Sequence, residues 1–223
     1  MDIKHELMKA AGKRDFNLDD NIPTSYIIRL CHQYGNALIR GVFHRFPDVF
    51  IGKNVKIYCK EKVSIGKKTK IRNNVKIDAL SINGVFIGDY CVIGENSRIE
   101  CTGSLEHVGK GLKIGDRSTF GSDCYFGAAG GIEIGDDVIA GQYIRFHSEN
   151  HLYGDHNSPI RKQGVTHKGI KIGNNCWIGA GAVFLDGSEI GNGCVVGANA
   201  VVTKKFPDNS VIIGIPAKIE KNR

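Results

Sequence analysis

Large apolar residues recur at strict six-residue spacing along the C-terminal part of the chain. These positions are Ile172, Ile178, Phe184, Ile190, Val196 and Val202. Glycine directly follows four of the six, and a small residue stands four places after each of the first five. A helix repeats about every 3.6 residues and a half-buried strand about every two, so neither explains this spacing. A hexapeptide repeat does, and such repeats build parallel β-helices.

The same pattern extends back to Ile51, with interruptions. It shifts by two residues at Ile65, breaks over residues 101–112, resumes at Ile114, and breaks again over residues 152–168. One short strand per hexad and three strands per turn would give a triangular prism filled by the large residues. At about eighteen residues per coil, the pattern predicts roughly seven coils.

The hexads therefore predict an all-β fold with a helical segment before it and a tail after it. The expected parts are a helical segment at 1–48, a β-helix domain at 49–203 and a tail at 204–223 that leaves the prism. The polar break at 152–168 is expected to protrude as a loop. Long loops in a compact repeat often carry function.

The N-terminal segment divides into two regions. Residues 1–24 are polar and predict a short helix and a loop, whereas residues 25–45 carry apolar residues at helical spacing, with Ser25 as the expected cap. We favour the interpretation that this second helix covers the open end of the prism, where an uncovered coil would expose unpaired backbone groups. The alternative is peripheral contact of the basic segment with an anionic membrane.

Composition narrows the classes of partner. The net charge of +7 favours an anionic partner, such as a phosphorylated cofactor, an acidic sugar or a membrane surface. No motif of a nucleic-acid-binding module is present, so no nucleic acid is expected. The lack of a signal peptide and of a long apolar run predicts a cytoplasmic location, with the inner membrane face as a peripheral alternative. The seven cysteines form no CxxC pair and are expected to be small buried groups, not metal ligands or disulfides.

Three motifs identify a family resemblance. They are Trp177-Ile178-Gly179-Ala180, Val201-Val202-Thr203-Lys204 and Gly214-Ile215-Pro216-Ala217-Lys218. The pattern resembles the left-handed β-helix acyltransferases, which include galactoside, maltose and xenobiotic acetyltransferases and the O-acetyltransferases of bacterial surface polysaccharides. The left hand of the helix comes from this resemblance, because parallel crossovers are otherwise right-handed. The resemblance also implies a homotrimer whose active sites lie between subunits.

The resemblance implies that His151 is the general base. In the similar enzymes one histidine stands just before the protruding loop, and His151 matches it. Xenobiotic acetyltransferases share the Asn-His pair seen here, whereas galactoside and maltose enzymes have His-Pro in place of His151-Leu152. Neutral histidine suits the removal of a hydroxyl proton, because its ordinary pKa is about 6.5. Asp123 and Glu149 are the candidates for orienting it.

The other histidines of this region are His147, His156 and His167. All three are expected to be surface or substrate-loop residues.

The resemblance also assigns a cofactor, acetyl-CoA, as acetyl donor. Ala180 and Ala198 match positions that line the groove of the pantetheine arm, and Trp177 matches a wall residue. Positions near the nucleotide phosphates are matched by Thr203, Lys204 and Lys218. No metal is expected. Singly, the small residues are also explained by the packing of stacked coils.

We therefore predict an O-acetyltransferase that acts on a sugar hydroxyl of a surface polysaccharide or its precursor. One alternative is N-acetylation of an amino-sugar nucleotide. Another is a zinc hydratase on the same prism, similar to γ-class carbonic anhydrase, for which His151 and His156 have a suitable spacing. A non-catalytic hexapeptide scaffold is the last. The sequence does not identify the acceptor.

Overall fold

The computed structural model describes residue 19 and residues 21–223. The short helix and loop predicted for residues 1–24 thus lie largely outside the described residues. Helix α1 spans Thr24–Phe43. It begins directly after Pro23, whose extended backbone serves as N-cap, and no side chain caps it. The predicted cap at Ser25 was wrong, because Ser25 already lies in the first helical turn.

Short strands build three sheets that form the sides of a prism. Sheet A contains β1 (Phe50–Ile51), β4 (Lys70–Ile71), β7 (Val92–Ile93), β10 (Thr119–Phe120), β13 (Ile139–Ala140), β18 (Trp177–Ile178), β21 (Val195–Val196), β24 (Ser210–Gly214) and β25 (Ala217–Asn222). Sheet B contains β2 (Lys56–Tyr58), β5 (Lys76–Asp78), β8 (Arg98–Glu100), β11 (Tyr125–Gly127), β14 (Arg145–His147), β19 (Val183–Leu185) and β22 (Val201–Val202). Sheet C contains β3 (Val63–Ile65), β6 (Val85–Ile87), β9 (Leu112–Ile114), β12 (Ile132–Ile134), β17 (Ile170–Ile172), β20 (Glu189–Ile190) and β23 (Lys205–Phe206).

The chain visits sheets A, B and C in turn, so that each circuit is one coil. Sheets B and C each have seven strands, and every neighbouring pair in them is parallel. This gives seven complete coils, as the spacing predicts, and β24 starts an eighth. The predicted fold class, an all-β left-handed parallel β-helix, is confirmed.

The interior of the prism is a set of apolar ladders that run across the coils. On sheet B, Phe126, Phe146 and Phe184 occupy successive rungs and are fully buried. Their rings stack with centroids 5.1 Å apart at each of the two steps. The large residue of each hexad therefore fills the interior, and stacking on the next coil buries it completely.

The two-residue shift in the hexad pattern has a simple cause. Each strand of sheet C in the first five coils has three residues, and the first and third both point inward. In β3 these are Val63 and Ile65, with the exposed Ser64 between them. The six-residue count therefore passes from the first to the third residue of one strand, and both residues face the interior.

Asparagine supports the corner between sheets A and B. Asn54, Asn74, Asn96 and Asp123 stack there, each with φ between 55° and 60°. Asparagine and aspartate tolerate this left-handed conformation better than most residues. Their side chains also hydrogen-bond from coil to coil at 3.1–3.3 Å. The corner thus keeps its shape where glycine is absent.

Helix α1 packs on the first coil, as we favoured. Arg40 Nε donates hydrogen bonds to the carbonyl oxygens of Ile51 and Gly52, at 2.8 and 3.1 Å. The ring of Tyr34 meets the ring of Phe50 edge-on at 5.4 Å. Gly41 lies so close to the coil that a Cβ there would collide with the carbonyl of Val49. Among the described residues, no helix has the length and apolar character needed to cross a bilayer.

The prediction that the tail from residue 204 leaves the prism was wrong. Strand β23 still pairs with β20 in sheet C, and β24 pairs with β21 in sheet A. Only β25 departs from the coil path, by turning back antiparallel along β24. The reason is that Phe206 and Ile212 continue the buried ladders, although Phe206 follows Val202 after four residues and not six.

Candidate functional site

The corner between sheets B and C carries the long insertions of the prism. Residues 101–111 connect β8 to β9, and residues 148–169 connect β14 to the next strand of sheet C. The corresponding connection in the fourth coil is only four residues, 128–131. Both predicted breaks in the repeat therefore lie on one edge of the molecule.

The second insertion is an ordered arm. Its strands β15 (Asn150–His151) and β16 (Val165–Thr166) pair antiparallel, with His151 opposite Val165. At the tip, the side chain of Gln163 accepts a hydrogen bond from the Asp155 backbone and donates to the carbonyls of Asp155 and Ser158, at 2.7–3.0 Å. Hexad spacing could not reveal this hairpin, because its pairing is internal to the arm.

His151 lies at the root of the arm with its side chain exposed. No hydrogen bond joins its imidazole to any other residue that the structure describes. Neither predicted orienting carboxylate contacts it. Glu149 Oε2 instead lies 2.6 Å from His167 Nε2, and Asp123 accepts a hydrogen bond from Asn96 at the other edge of sheet B. The imidazole of His151 is therefore available to a group outside this chain.

His167 is part of the root and not a free surface residue. Besides its pair with Glu149, its carbonyl oxygen accepts a hydrogen bond of 2.8 Å from Lys110 Nζ. Lys110 comes from the first insertion, so these contacts join the two insertions. His156 lies exposed at the tip of the arm.

A polar row on the outer face of sheet B leads toward the arm. The strand register places Glu100, Gly127 and His147 side by side at the ends of consecutive strands. The Tyr125 hydroxyl donates to Glu100 at 3.3 Å, and its ring lies 5.4 Å from the His147 ring. Hexad spacing alone did not predict this row. Each of its side chains stands directly beside the large buried residue of its sheet B strand, which is Ile99, Phe126 or Phe146.

Burial and nearby charges shift the pKa values of these groups. Burial lowers the pKa of His147, with a further contribution from Arg145, so the imidazole is held neutral. Burial raises the pKa of the Tyr125 hydroxyl, as does the nearby carboxylate of Glu100. Burial alone would raise the pKa of Glu100, but hydrogen bonds from Lys76 and Arg98 hold it below its usual value. The row therefore presents a carboxylate, a hydroxyl and a neutral imidazole together.

The predicted pantetheine groove lies on the opposite edge of sheet B. Ala180 and Ala198 stack in the corner between sheets A and B, where a Cβ on Gly179 would collide with the backbone of Ala198. Trp177 stands beside them on the outer face of sheet A, with 59% of its surface exposed. Small residues thus keep this corner narrow, and an indole forms its wall.

The predicted phosphate-binding residues are divided between edges. Thr203 and Lys204 follow β22, at the corner between sheets B and C, and Lys204 Nζ lies 5.6 Å from the centre of the Phe206 ring. Lys218 lies in β25, opposite Ile213 on the sheet A side. At the level of β19, three strand residues separate the two edges of sheet B, about 10 Å at ordinary strand rise. The root of the arm and the corner of Ala180 therefore lie on opposite edges of sheet B.

The cysteines behave as small core residues. No disulfide joins any of the seven, and five of them are buried. Burial raises the pKa of Cys91 and Cys124 to about 11 and that of Cys101 to about 12. In the part of the chain that the structure describes, no three His, Cys, Asp or Glu side chains come together in a way that could hold a metal ion.

Comparison with known proteins identifies the repeat. Residues 169–204 match the model of the bacterial transferase hexapeptide with six repeats, and residues 111–141 match the hexapeptide repeat of succinyl-transferase. A probable acetyltransferase of Mycobacterium tuberculosis is 34% identical over 76% of this chain and 53% of its own length. The chain therefore carries the hexapeptide repeat and is similar to hexapeptide-repeat acetyltransferases.

Other similar proteins show the extent of the likeness. The galactoside O-acetyltransferase of Escherichia coli K12 is 30% identical over 58% of this chain and 63% of its own length. The chain thus spans less than two thirds of these relatives. A solved N-acyltransferase from Bacillus cereus, bound to dTDP-4-amino-4,6-dideoxyglucose and coenzyme A, has a TM-score of 0.51 at 21% identity. That alignment covers 79% of this chain and 81% of the other, and it shows a shared fold.

Proposed function

We propose that the protein transfers an acetyl group from acetyl-CoA to a sugar hydroxyl, with His151 as general base. The observation that carries the proposal is the exposed imidazole of His151 at the root of the arm, where no described residue occupies its nitrogens. A base for an external hydroxyl must be accessible and neutral, and histidine is neutral near pH 7.

During the reaction, the imidazole of His151 accepts one proton and later releases it. His151 takes the proton of the acceptor hydroxyl as its oxygen attacks the thioester carbonyl. The tetrahedral oxyanion then collapses, the carbon–sulfur bond breaks, and the imidazolium returns the proton to the leaving thiolate. The products are an acetyl ester and free CoA. The enzyme's main contribution is to align the two substrates.

The groove of Ala180 and Ala198 is the proposed site of the pantetheine arm. Small side chains at this corner let the extended pantetheine arm, with its two amides, approach the backbone closely. Trp177 provides an apolar surface beside it. Lys204 and Lys218 would attract the nucleotide phosphates. The hydroxyl of Thr203, beside Lys204, would donate a hydrogen bond to the same phosphates. These residues lie on different edges of the prism, and we propose that a second copy of the chain completes the site.

A homotrimer would complete the site, and the outer faces of the sheets support this proposal. Sheet C presents charges of alternating sign, with ion pairs Lys171–Glu133 at 3.8 Å and Lys205–Glu189 at 2.8 Å. A face of paired charges is favourable when it is exposed to solvent. Sheet A instead exposes apolar side chains such as Ile139, which is 63% exposed. We therefore propose sheet A as a contact face between copies.

The acceptor class is proposed from the family, whose relatives include galactoside O-acetyltransferases. The polar row of Glu100, Tyr125 and His147 supports it. A carboxylate, a phenol and an imidazole on one face can hydrogen-bond to sugar hydroxyls. The net charge of +7 also favours an acceptor that carries phosphate or carboxylate groups.

The test is acetyl transfer by the purified protein. Acetyl-CoA is offered with neutral oligosaccharides, lipid-linked sugar diphosphates or amino-sugar nucleotides, and release of free CoA is followed with a thiol reagent. The product is then treated with hydroxylamine, which cleaves an acetyl ester but leaves an acetamide. We expect CoA release with a hydroxylamine-sensitive product. A resistant product would establish N-acetylation, and loss of activity with a zinc chelator would contradict the metal-free mechanism.

A further inference from the structure

We propose that Asp186 is a positioning residue that anchors the arm and thereby fixes His151 at the site. This inference rests on the proposed role of His151 as general base. Asp186 lies in the corner directly after β19, one coil beyond the arm, and is only 7% exposed.

Both carboxylate oxygens of Asp186 bind the returning side of the arm. Oδ2 accepts a hydrogen bond of 2.7 Å from the Thr166 hydroxyl, and Oδ1 accepts one of 2.8 Å from the Gly169 backbone. In the range that the structure describes, no lysine or arginine forms an ion pair with it. A buried carboxylate without a cation costs free energy unless hydrogen bonds compensate it. Here the compensation comes only from the arm, so the arm and Asp186 depend on each other.

The connection from Asp186 to His151 is short. Thr166 pairs with Asn150 across the hairpin, and the adjacent pair is Val165 with His151. The Leu152 backbone also donates a hydrogen bond of 3.0 Å to the carbonyl of Gly164. A contact that holds Thr166 therefore also holds strand β16. His151 pairs with Val165, the residue of β16 next to Thr166.

The other contacts of the root hold different parts of the arm. Ser148 Oγ donates to the Gly127 carbonyl at 2.7 Å where the chain leaves sheet B. Glu149 and Lys110 bind His167, which follows β16. Asp186 alone among these groups reaches a side chain within the hairpin pairing. It therefore sets the angle of the hairpin, whereas the other contacts hold its base.

The Thr166 hydroxyl offers the sharpest test because it can be removed without a change of shape. Thr166→Val should lower kcat by about 10–100-fold, since a misplacement of about 1 Å is enough for losses of this size. The KM for acetyl-CoA and the apparent pKa of the pH–rate profile should not change, because the base itself is intact. Thr166→Ser, which keeps the hydroxyl, should be close to wild type.

Asp186 is tested with a second matched pair. Asp186→Asn keeps an acceptor for the Gly169 backbone and places a donor opposite the Thr166 hydroxyl, so it should restore most of the activity that Asp186→Ala loses. In the His151→Ala background, Thr166→Val should cause no further loss. Additive losses would mean that Thr166 acts on something other than His151.

Arm docking is measured without any acceptor. Arg161 and Lys162 lie exposed near the tip of the arm, so trypsin should cut there faster in Thr166→Val and Asp186→Ala than in wild type. Circular dichroism checks that each variant is folded. Unchanged cleavage and turnover in a folded Thr166→Val, beside an inactive His151→Ala, would overturn this inference alone. Normal turnover in His151→Ala would instead overturn the proposed base, while the cleavage rates would still decide whether Asp186 anchors the arm.

Discussion

Phe146 is the middle ring of the interior stack, and its removal should cost more stability than that of its neighbours. It is fully buried and stacks on Phe126 at 20° and on Phe184 at 21°, with centroids 5.1 Å away in both cases. A buried Phe→Ala change costs about 3–5 kcal/mol through lost burial and the cavity. Each stacked pair accounts for about 0.5–1.5 kcal/mol of such a cost. We therefore expect about 4–5 kcal/mol for Phe146→Ala, at the upper end of that range.

The measurement is urea unfolding followed by circular dichroism, at one fixed protein concentration because subunit association would add to apparent stability. A loss of this size corresponds to roughly 8–20 °C in Tm for a domain of this length. Phe184→Ala, which removes one stacked pair and not two, should cost less. Glu133→Ala on the exposed face of sheet C is the control, with an expected change within about 0.5 kcal/mol. A cost for Phe146→Ala no larger than that of the control would refute the continuous interior ladder.

Three further predictions concern the cofactor, the thiols and pH. Lys204→Ala and Lys218→Ala should raise the KM for acetyl-CoA more than they lower kcat, and less so in high salt; an unchanged KM in both would remove them from the site. In the native protein at pH 8, a thiol reagent should modify Cys31 and Cys59 first, because burial raises the pKa of the other five thiols; rapid reaction of all seven would contradict their burial. His147 has a lowered pKa in the folded protein, so the unfolded chain binds its proton first, and the free energy of unfolding should fall as pH drops below the ordinary value of 6.5. His147→Gln should flatten that part of the stability curve, and an unchanged slope would show that other groups cause it.

The sequence predicted the prism well because one rule governs it. Every large residue of the hexads, from Ile51 to Val202, faces the interior or packs against it. The rule fails at Phe206, which follows Val202 after four residues and not six. Phe206 nevertheless stays in the ladder, because it is buried and its strand pairs with β20.

The candidate site was less predictable, because it depends on contacts between distant coils. The pairing of Glu149 with His167 joins the two ends of an insertion, and the contact of Asp186 with Thr166 joins the arm to the next coil. Neither follows a repeat, so spacing gives no signal for them. The resemblance to a family suggested His151, while the strand register was needed to find the row of Glu100, Tyr125 and His147.

The turnover of His151→Ala tests the central claim most directly. With an acceptor that releases CoA in the wild type, the variant should lose about 10²–10⁴-fold in kcat, the usual share of general base catalysis. It should still bind acetyl-CoA and unfold at the wild-type temperature, because the side chain is exposed and outside the ladders. His156→Ala, at the exposed tip of the arm, is the matched control and should keep near-normal activity. A folded, CoA-binding His151→Ala protein with near-normal kcat would contradict the account.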